Sequence, residues 1–184
     1  LFSKEVGRLI KEKFVERHAT LQEVIDLHGS VIVSKVAAIV KARPDGTPKL
    51  RIIIDMLRSL VNSFVNLVER IVLPRLADMI SDLIAFSTAL ESGTPQIIDM
   101  MVLEFSDAFH TICVAPRELR FQVFRLPDGG YGLYRTVVFG GGGASLVWGR
   151  AVVFLGRSAQ SMFDPRTVRL EIYERFSGHA LRKQ

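Results

Sequence analysis

The chain has one cysteine, Cys113, in 184 residues. No intrachain disulfide can form, no metal cluster can be assembled from thiolates, and a reducing compartment is the expected setting. Paired ligand spacing is absent among the histidines as well. His18, His28, His110 and His179 stand apart, and each is read as a surface or locally satisfied residue rather than a metal ligand. No segment resembles a signal peptide, and every apolar stretch is interrupted before the ~18 residues that a spanning helix needs. The expectation is therefore an intracellular chain, cytoplasmic or nuclear, with no membrane partner. Two nucleotide-binding signatures are also missing. Four glycines run from Gly140 to Gly143, but no Lys-Ser or Lys-Thr pair follows them and no Gly-x-Gly-x-x-Gly spacing fits.

What is present is a 48% hydrophobic chain with a formal charge of +5 and a pI near 9.7. That length and composition suit one sizeable core and are short for two. The cations are concentrated. Residues 1–28 balance five bases against five acids, whereas residues 35–58 set Lys35, Lys41, Arg43, Lys49, Arg51 and Arg58 against Asp45 and Asp55 alone. Such an excess favours a polyanionic partner, although charge by itself does not separate nucleic acid from acidic lipid.

Periodicity organises the rest. Val6, Leu9, Ile10 and Phe14, then Leu21, Val24, Ile25 and Leu27, recur at helical spacing over residues 2–27, with a break near His18 to Thr20. Thr20 followed by Glu23 is a capping-box pattern for the second half. Val31 to Val40 and Lys49 to Ile54 are β-branched, apolar runs flanking a turn of Arg43, Pro44, Asp45 and Gly46, which predicts a β-hairpin. Its cations would repel one another without an anion nearby; phosphate and plain solvation both answer this. Asp55 to Asn62 turns into a short helix. Pro74 starts a helix to about Glu91, stopped by Ser92, Gly93, Thr94 and Pro95. A second hairpin is predicted from Arg120–Phe124 and Tyr131–Val138 around Asp128 and Gly129. The glycine run belongs ahead of a helix carrying Val147, Ala151, Phe154, Leu155 and Met162, since each glycine within it would cost roughly 1 kcal/mol. Arg150 and Arg157 share a face of that helix, solvated or locally paired. Arg169 to Tyr173 is a candidate strand.

The stretch Met101 to Ile112 is where chemistry would sit. It is an apolar run, predicted as a strand, with Asp99 just before its apolar core and two carboxylates, Glu104 and Asp107, toward its end, followed by an aromatic residue, Phe109. Alone, the pair reads as ordinary polar residues at a strand end; the flanking motifs favour a site.

Those motifs resemble the reverse transcriptases of retroelements, over roughly residues 35–173. Arg43, Pro44, Asp45, Gly46, Lys49 and Arg51, with Asp55, Arg58 and Asn62, are similar to the family's fingers motif. Leu103, Glu104, Phe105, Ser106, Asp107, Ala108, Phe109 and His110 resemble its palm strand. Val138, Phe139 and Gly140, with Ala144, Ser145, Trp148 and Arg150, resemble its Phe-Gly segment. The resemblance implies an α+β, right-hand polymerase fold holding fingers and palm without a thumb, as a single unit. Residues 1–73 and 110–141 would be fingers-like, and 74–109 and 142–184 palm-like.

It also implies RNA-directed DNA synthesis on a primer–template with deoxynucleoside triphosphates and Mg²⁺ or Mn²⁺. Two such ions about 3.5–4 Å apart would activate the primer hydroxyl and neutralise the triphosphate. Glu104 and Asp107 would be the catalytic carboxylates. Glu104 and the carbonyl of Phe105 would hold metal, and Asp107 and Ala108 would border the triphosphate. Phe109 would lie under the sugar and exclude a 2′-hydroxyl. Arg43 and Arg51 would clamp phosphates, and Phe139 and Gly140 would pack against nucleotide and template. Two departures, with a smaller one at Ser145, set an expectation of little or no synthesis by this chain. Glu104 replaces an aspartate, which shifts a metal by on the order of 1 Å. Tyr173, Glu174, Arg175 and Phe176 stand where the family has Tyr-x-Asp-Asp, and Ser145 replaces a proline. The alternatives are a nucleic-acid-binding remnant without catalysis and a non-functional fragment of a decayed element.

Overall fold

The computed structural model describes residues 1–43, 45–69, 71–72, 76–89, 105–164 and 175–176. Outside them lie Pro44 of the first turn, the helix stop at Ser92 to Pro95, Asp99, the predicted strand residues Met101 to Glu104, the candidate strand Arg169 to Tyr173, and Glu174. In chain order the elements are α1 (Phe2–Lys11), β1 (Val15–His18), α2 (Leu21–His28), β2 (Val33–Ser34), β3 (Val36–Ala42), β4 (Pro48–Ile54), β5 (Ile71–Val72), α3 (Leu76–Ala89), β6 (Val123–Arg125), β7 (Tyr131–Tyr134), α4 (Ala144–Gln160) and β8 (Arg175–Phe176). The class is α+β. Among the described residues no helix is long and apolar enough to cross a membrane.

Two compact units divide the chain: Leu1–Asn66 with Asp107–Ala144, and Leu67–Ser106 with Ser145–Gln184. Asp107, Ala108 and Phe109 thus share the first unit with Arg51 and Phe139.

The first unit is built on a four-stranded sheet of order β1-β7-β6-β2, antiparallel except for the parallel β2–β6 pair. Alternation along β6 and β7 sends side chains to both faces, and both faces are covered. Phe124 and Tyr134 lie on one side with Val6, Leu9, Val15, Ile52, Ile54, Met56, Leu126 and Val138. Val123 and Leu133 lie on the other with Val24 and Leu119. The fully buried Phe124 ring has room because its cross-strand neighbour is Gly132, where a Cβ would come within 2.4 Å of Phe124 Cζ.

The amino-terminal helical pattern breaks earlier than its periodicity suggests. α1 ends at Lys11, Lys13 turns the chain at φ 62°, and Val15–His18 forms an edge strand on β7 rather than a helical turn. Tertiary pairing overrides local propensity here, since β1 gains ladder bonds and buries Val15. α2 starts where the capping pattern puts it. Glu23 N donates to Thr20 Oγ1 at 3.3 Å, and Glu23 Oε2 accepts from Ala19 N at 2.9 Å, one residue earlier than the motif's usual partner.

The apolar run from Val31 is two strands, not one. It divides at Lys35, whose carbonyl accepts from Asp55 N, while the buried Ser34 hydroxyl donates to Ser59 Oγ at 2.7 Å. β3 and β4 then form the expected hairpin, with register Ala42↔Pro48 through Val36↔Ile54. The second hairpin is shorter than its sequence suggests. Pro116–Phe121 is a 3₁₀ helix that buries Leu119, so strand pairing starts only at Val123. β7 stops at Tyr134, where Arg135 N donates to Phe14 O. Gly129 at φ 90° makes the turn between them, and Asp128 accepts from Gly130 N.

In the second unit β5 and β8 pair antiparallel, Ile71↔Phe176 and Val72↔Arg175. α3 starts two residues after Pro74. α4 begins directly after the glycine run, and Arg150 on it is paired locally with Glu69 at 2.7 Å.

Replacing Phe124 by alanine empties the centre of the first unit and is expected to cost about 3–5 kcal/mol. Urea unfolding followed by circular dichroism measures this; a loss below about 1 kcal/mol would contradict the assigned core.

Candidate nucleotide-facing site

The site begins with a backbone approach too close for any side chain. Phe139 runs past the end of β4 and its carbonyl accepts from Ile54 N at 2.9 Å. The next residue, Gly140, has φ 108°, and a Cβ there would stand 1.9 Å from Ile54 O. Only glycine meets both conditions. Asn62 then clamps the loop from the far side. Its Nδ2 donates to Gly140 O at 2.8 Å, and its Oδ1 accepts from Gly142 N at 2.8 Å. Asp55 shapes the approach to Asn62 by accepting from Arg58 N at 3.0 Å. The Asp55, Arg58 and Asn62 motif therefore acts as a brace for the Phe139-Gly140 loop.

On this base three distant segments meet. The Phe109 and Phe139 rings lie 4.7 Å apart at 48°. The Arg51 guanidinium sits 5.6 Å from the Phe139 ring centre, within the range where the ring face attracts a cation. Arg51 is carried there by β4, three residues before Ile54. Cross-strand pairing puts Lys41 opposite Lys49 and Ile39 opposite Arg51, so Lys41, Lys49 and Arg51 project from one face of the hairpin. The opposite face buries Ile52 and Ile54. Arg43 sits in the turn, where its Nη1 donates to Thr47 Oγ1 at 3.3 Å. Thr47 also donates to Asp45 from its backbone and its hydroxyl, and these bonds, with help from the Arg43 charge, hold the Asp45 carboxyl below the usual range. Among the described residues none of Lys41, Arg43, Lys49 and Arg51 forms a salt bridge.

The strand predicted from Met101 does not continue through Asp107 and Phe109: Ser106 and Asp107 turn, and Asp107 precedes a 3₁₀ helix, Ala108–Thr111, that carries Phe109. The Asp107 carboxylate is engaged by Arg8 through two bonds, Nη1 to Oδ2 at 2.9 Å and Nη2 to Oδ1 at 3.1 Å. Glu5 and then Asp107 keep the Arg8 guanidinium protonated well above its ordinary range. A carboxylate held in such a fork is spoken for. Its neighbour His110 turns inward and is buried. The imidazole stacks on Phe14 at 5.0 Å and on Tyr134 at 5.6 Å, and Nδ1 shares a hydrogen with Thr136 Oγ1 at 3.1 Å. Burial pushes the His110 pKa below its usual value, with Asp107 opposing and Arg8 reinforcing the shift. The same enclosure raises the Tyr134 hydroxyl.

Arg51, Ala108, Phe109, Phe139 and Gly140 are thus brought into one unit, with Arg43 at the tip of the hairpin. Glu104 lies outside the described residues. Phe105 belongs to the other unit, where its ring meets Trp148 edge-on at 5.2 Å. The described residues include no group of three His, Cys, Asp or Glu side chains that could hold a metal ion. Sequence reading missed Arg8, 99 positions from its partner. It also missed the inward role of His110, which no local pattern announces. No family model matches the chain, and no curated protein matches it in sequence.

The fold accepts His110 as a neutral ring, so the unfolded chain takes up its proton first as pH falls. Stability is complete above the free imidazole value of 6.5 and declines below it. Thermal midpoints between about pH 5 and pH 7.5 are expected to fall on the acid side in the native protein. His110→Gln, which can still bond Thr136, is expected to flatten that decline; an identical profile in both proteins would refute the assignment.

Proposed function

We propose that this chain is a reverse-transcriptase-like fingers-and-palm domain that engages a primer–template and a deoxynucleoside triphosphate but polymerises poorly. The observation that carries this reading is the convergence on Phe139 of Arg51, Phe109 and the braced Gly140, drawn from three motifs far apart in sequence. A nucleotide site needs a cation for phosphate and a flat apolar wall for the sugar, held on a fixed backbone. Arg51 offers a planar fork suited to phosphate oxygens. Phe109, packed against Phe139, offers the wall under the sugar. Gly140, packed against Ile54 O and held by Asn62, fixes the backbone that carries Phe139. Arg43 and the lysines on the hairpin face extend the positive surface along a nucleic-acid strand.

The reading of poor polymerisation rests on the acidic positions. Metal chemistry in the resembling family depends on a cluster of carboxylates, and the Mg²⁺ or Mn²⁺ it implies would fall here to Glu104 and the Phe105 carbonyl. Asp107 gives its carboxylate to Arg8 and borders the triphosphate through its backbone alone. By the resemblance, Arg175 and Phe176, which form β8, stand in sequence where the family has paired aspartates, and an arginine in place of an aspartate would oppose a cation. The engaged Asp107, together with hairpin cations that form no salt bridge among the described residues, also favours a second reading, a binding remnant that has lost polymerisation altogether.

Primer extension on an RNA template with Mg²⁺ or Mn²⁺ is expected to give little or no product, and robust extension would overturn the claim of impairment. Binding to the same primer–template is expected to weaken steeply with salt. Replacing Arg43 and Arg51 by alanine should lower the slope of log K against log salt by roughly 2, one for each lost phosphate contact. An unchanged slope would remove these arginines from the interface.

A further inference from the structure

The corner that delivers Phe109 is fixed by a residue from outside its own segment. Asp107 has φ 49°, in the left-handed region that side chains other than glycine rarely enter. It accepts from His110 N at 2.7 Å and so starts the 3₁₀ helix. What anchors its side chain is Arg8 on α1, by the two-pronged pair described above. The same guanidinium donates from Nε and Nη2 to Glu5 Oε1, at 3.1 and 2.7 Å, and from Nη1 to Glu12 Oε2 at 2.6 Å. Three carboxylates therefore converge on one cation. Two of them ride on α1 or its end, and Asp107 alone belongs to the corner.

We propose that Arg8 is a positioning residue for Phe109: by fixing the Asp107 corner it holds the Phe109 ring against Phe139 and so sets discrimination between deoxy- and ribonucleoside triphosphates. This rests on the reading of Phe109 as the wall under the sugar. A steric wall works only at a fixed position, because a displacement of about 1 Å makes room for a hydroxyl. Without Arg8, Glu5, Glu12 and Asp107 face one another uncompensated, and Asp107 is the one free to swing away. His110 does not follow, since Phe14, Tyr134 and Thr136 hold it in the core. The movement is confined to residues 107–109, where the Phe109 ring sits.

The test uses the full chain with primer–template and Mg²⁺, titrated with the deoxy and ribo forms of 2-aminopurine triphosphate and read by fluorescence. The native protein is expected to prefer the deoxy form, and Phe109→Val to lose that preference by roughly tenfold. Arg8→Met should lower it several-fold. Arg8→Lys should fall between, since an ammonium cannot span both carboxylate oxygens. Adding Glu5→Gln and Glu12→Gln to Arg8→Met relieves repulsion without restoring the anchor, so the preference should stay low.

A folded Arg8→Met protein with native preference, alongside a Phe109→Val protein that has lost it, overturns the role of Arg8 and leaves the sugar wall intact. Recovery in the triple variant also overturns it, by making repulsion the sole cause. If Arg8→Met does not fold, native preference in Arg8→Lys refutes the proposal in its place. No deoxy preference in the native protein removes both this proposal and the reading beneath it.

Discussion

At Gly140 the chain passes so close to the end of β4 that a single methyl group would overlap the Ile54 carbonyl. Ile54 N–H in turn is satisfied by Phe139 O, so β4 ends by pairing with this loop. The arrangement around Phe139 follows from that contact. Ile52, Ile54, Met56 and Val138 enter the same core as Phe124 and Tyr134, so the loop and the hairpin are drawn together by apolar burial and then locked in register by two backbone groups. Once Ile54 is fixed, strand alternation decides where Arg51 points, and it points at Phe139. Asn62 holds the other side, satisfying one donor and one acceptor of the glycine run that would otherwise be left to solvent.

The β3–β4 hairpin carries Lys41, Lys49 and Arg51 on one face with Ile39 and Ile53, and Ile52 and Ile54 on the other. Its inner half is seated in the core through Ile52 and Ile54, while its outer half stands exposed, with Lys41 directly opposite Lys49. Like charges placed directly across a ladder destabilise it by a few tenths of a kcal/mol or more. None of these cations forms a salt bridge among the described residues, so an anion along this face would relieve their repulsion. Phosphate and solvation both answer that repulsion, and the proposed nucleic-acid partner would supply the former.

Turn chemistry and capping were legible because they are local. Thr20 with Glu23, Asp45 with Gly46, Asp128 with Gly129, and the glycine run before α4 each lie where short-range rules put them. Elements that depend on distant partners were not. Val15 to His18 continues a helical periodicity in sequence, yet its backbone is claimed by β7 more than a hundred residues later. Pro116 to Phe121 coils instead of extending because Leu119 is needed in the pocket formed with Val24 and Val123. Asn62 stood out in sequence only as part of a resembling motif, with no sign of its bonds to Gly140 and Gly142, and nothing announced the Arg8 fork on Asp107, since no spacing rule reaches across 99 positions.

The acidic stretch that drew attention in sequence changes character in three dimensions. Within one 3₁₀ turn the chain goes from an exposed, ion-paired Asp107 to a buried, neutral His110, with Phe109 at the boundary between them. A turn anchored at both ends, by an ion pair outside and an aromatic stack inside, has little freedom left for the residue in the middle. That is a sound way to hold an aromatic wall and a poor way to present a metal ligand, because the carboxylate is committed to a guanidinium before any cation arrives. An Asp107 carboxylate committed to Arg8 fixes the turn that carries Phe109; in the proposed site, such a turn would serve to hold a wall under a sugar rather than to supply a metal ligand.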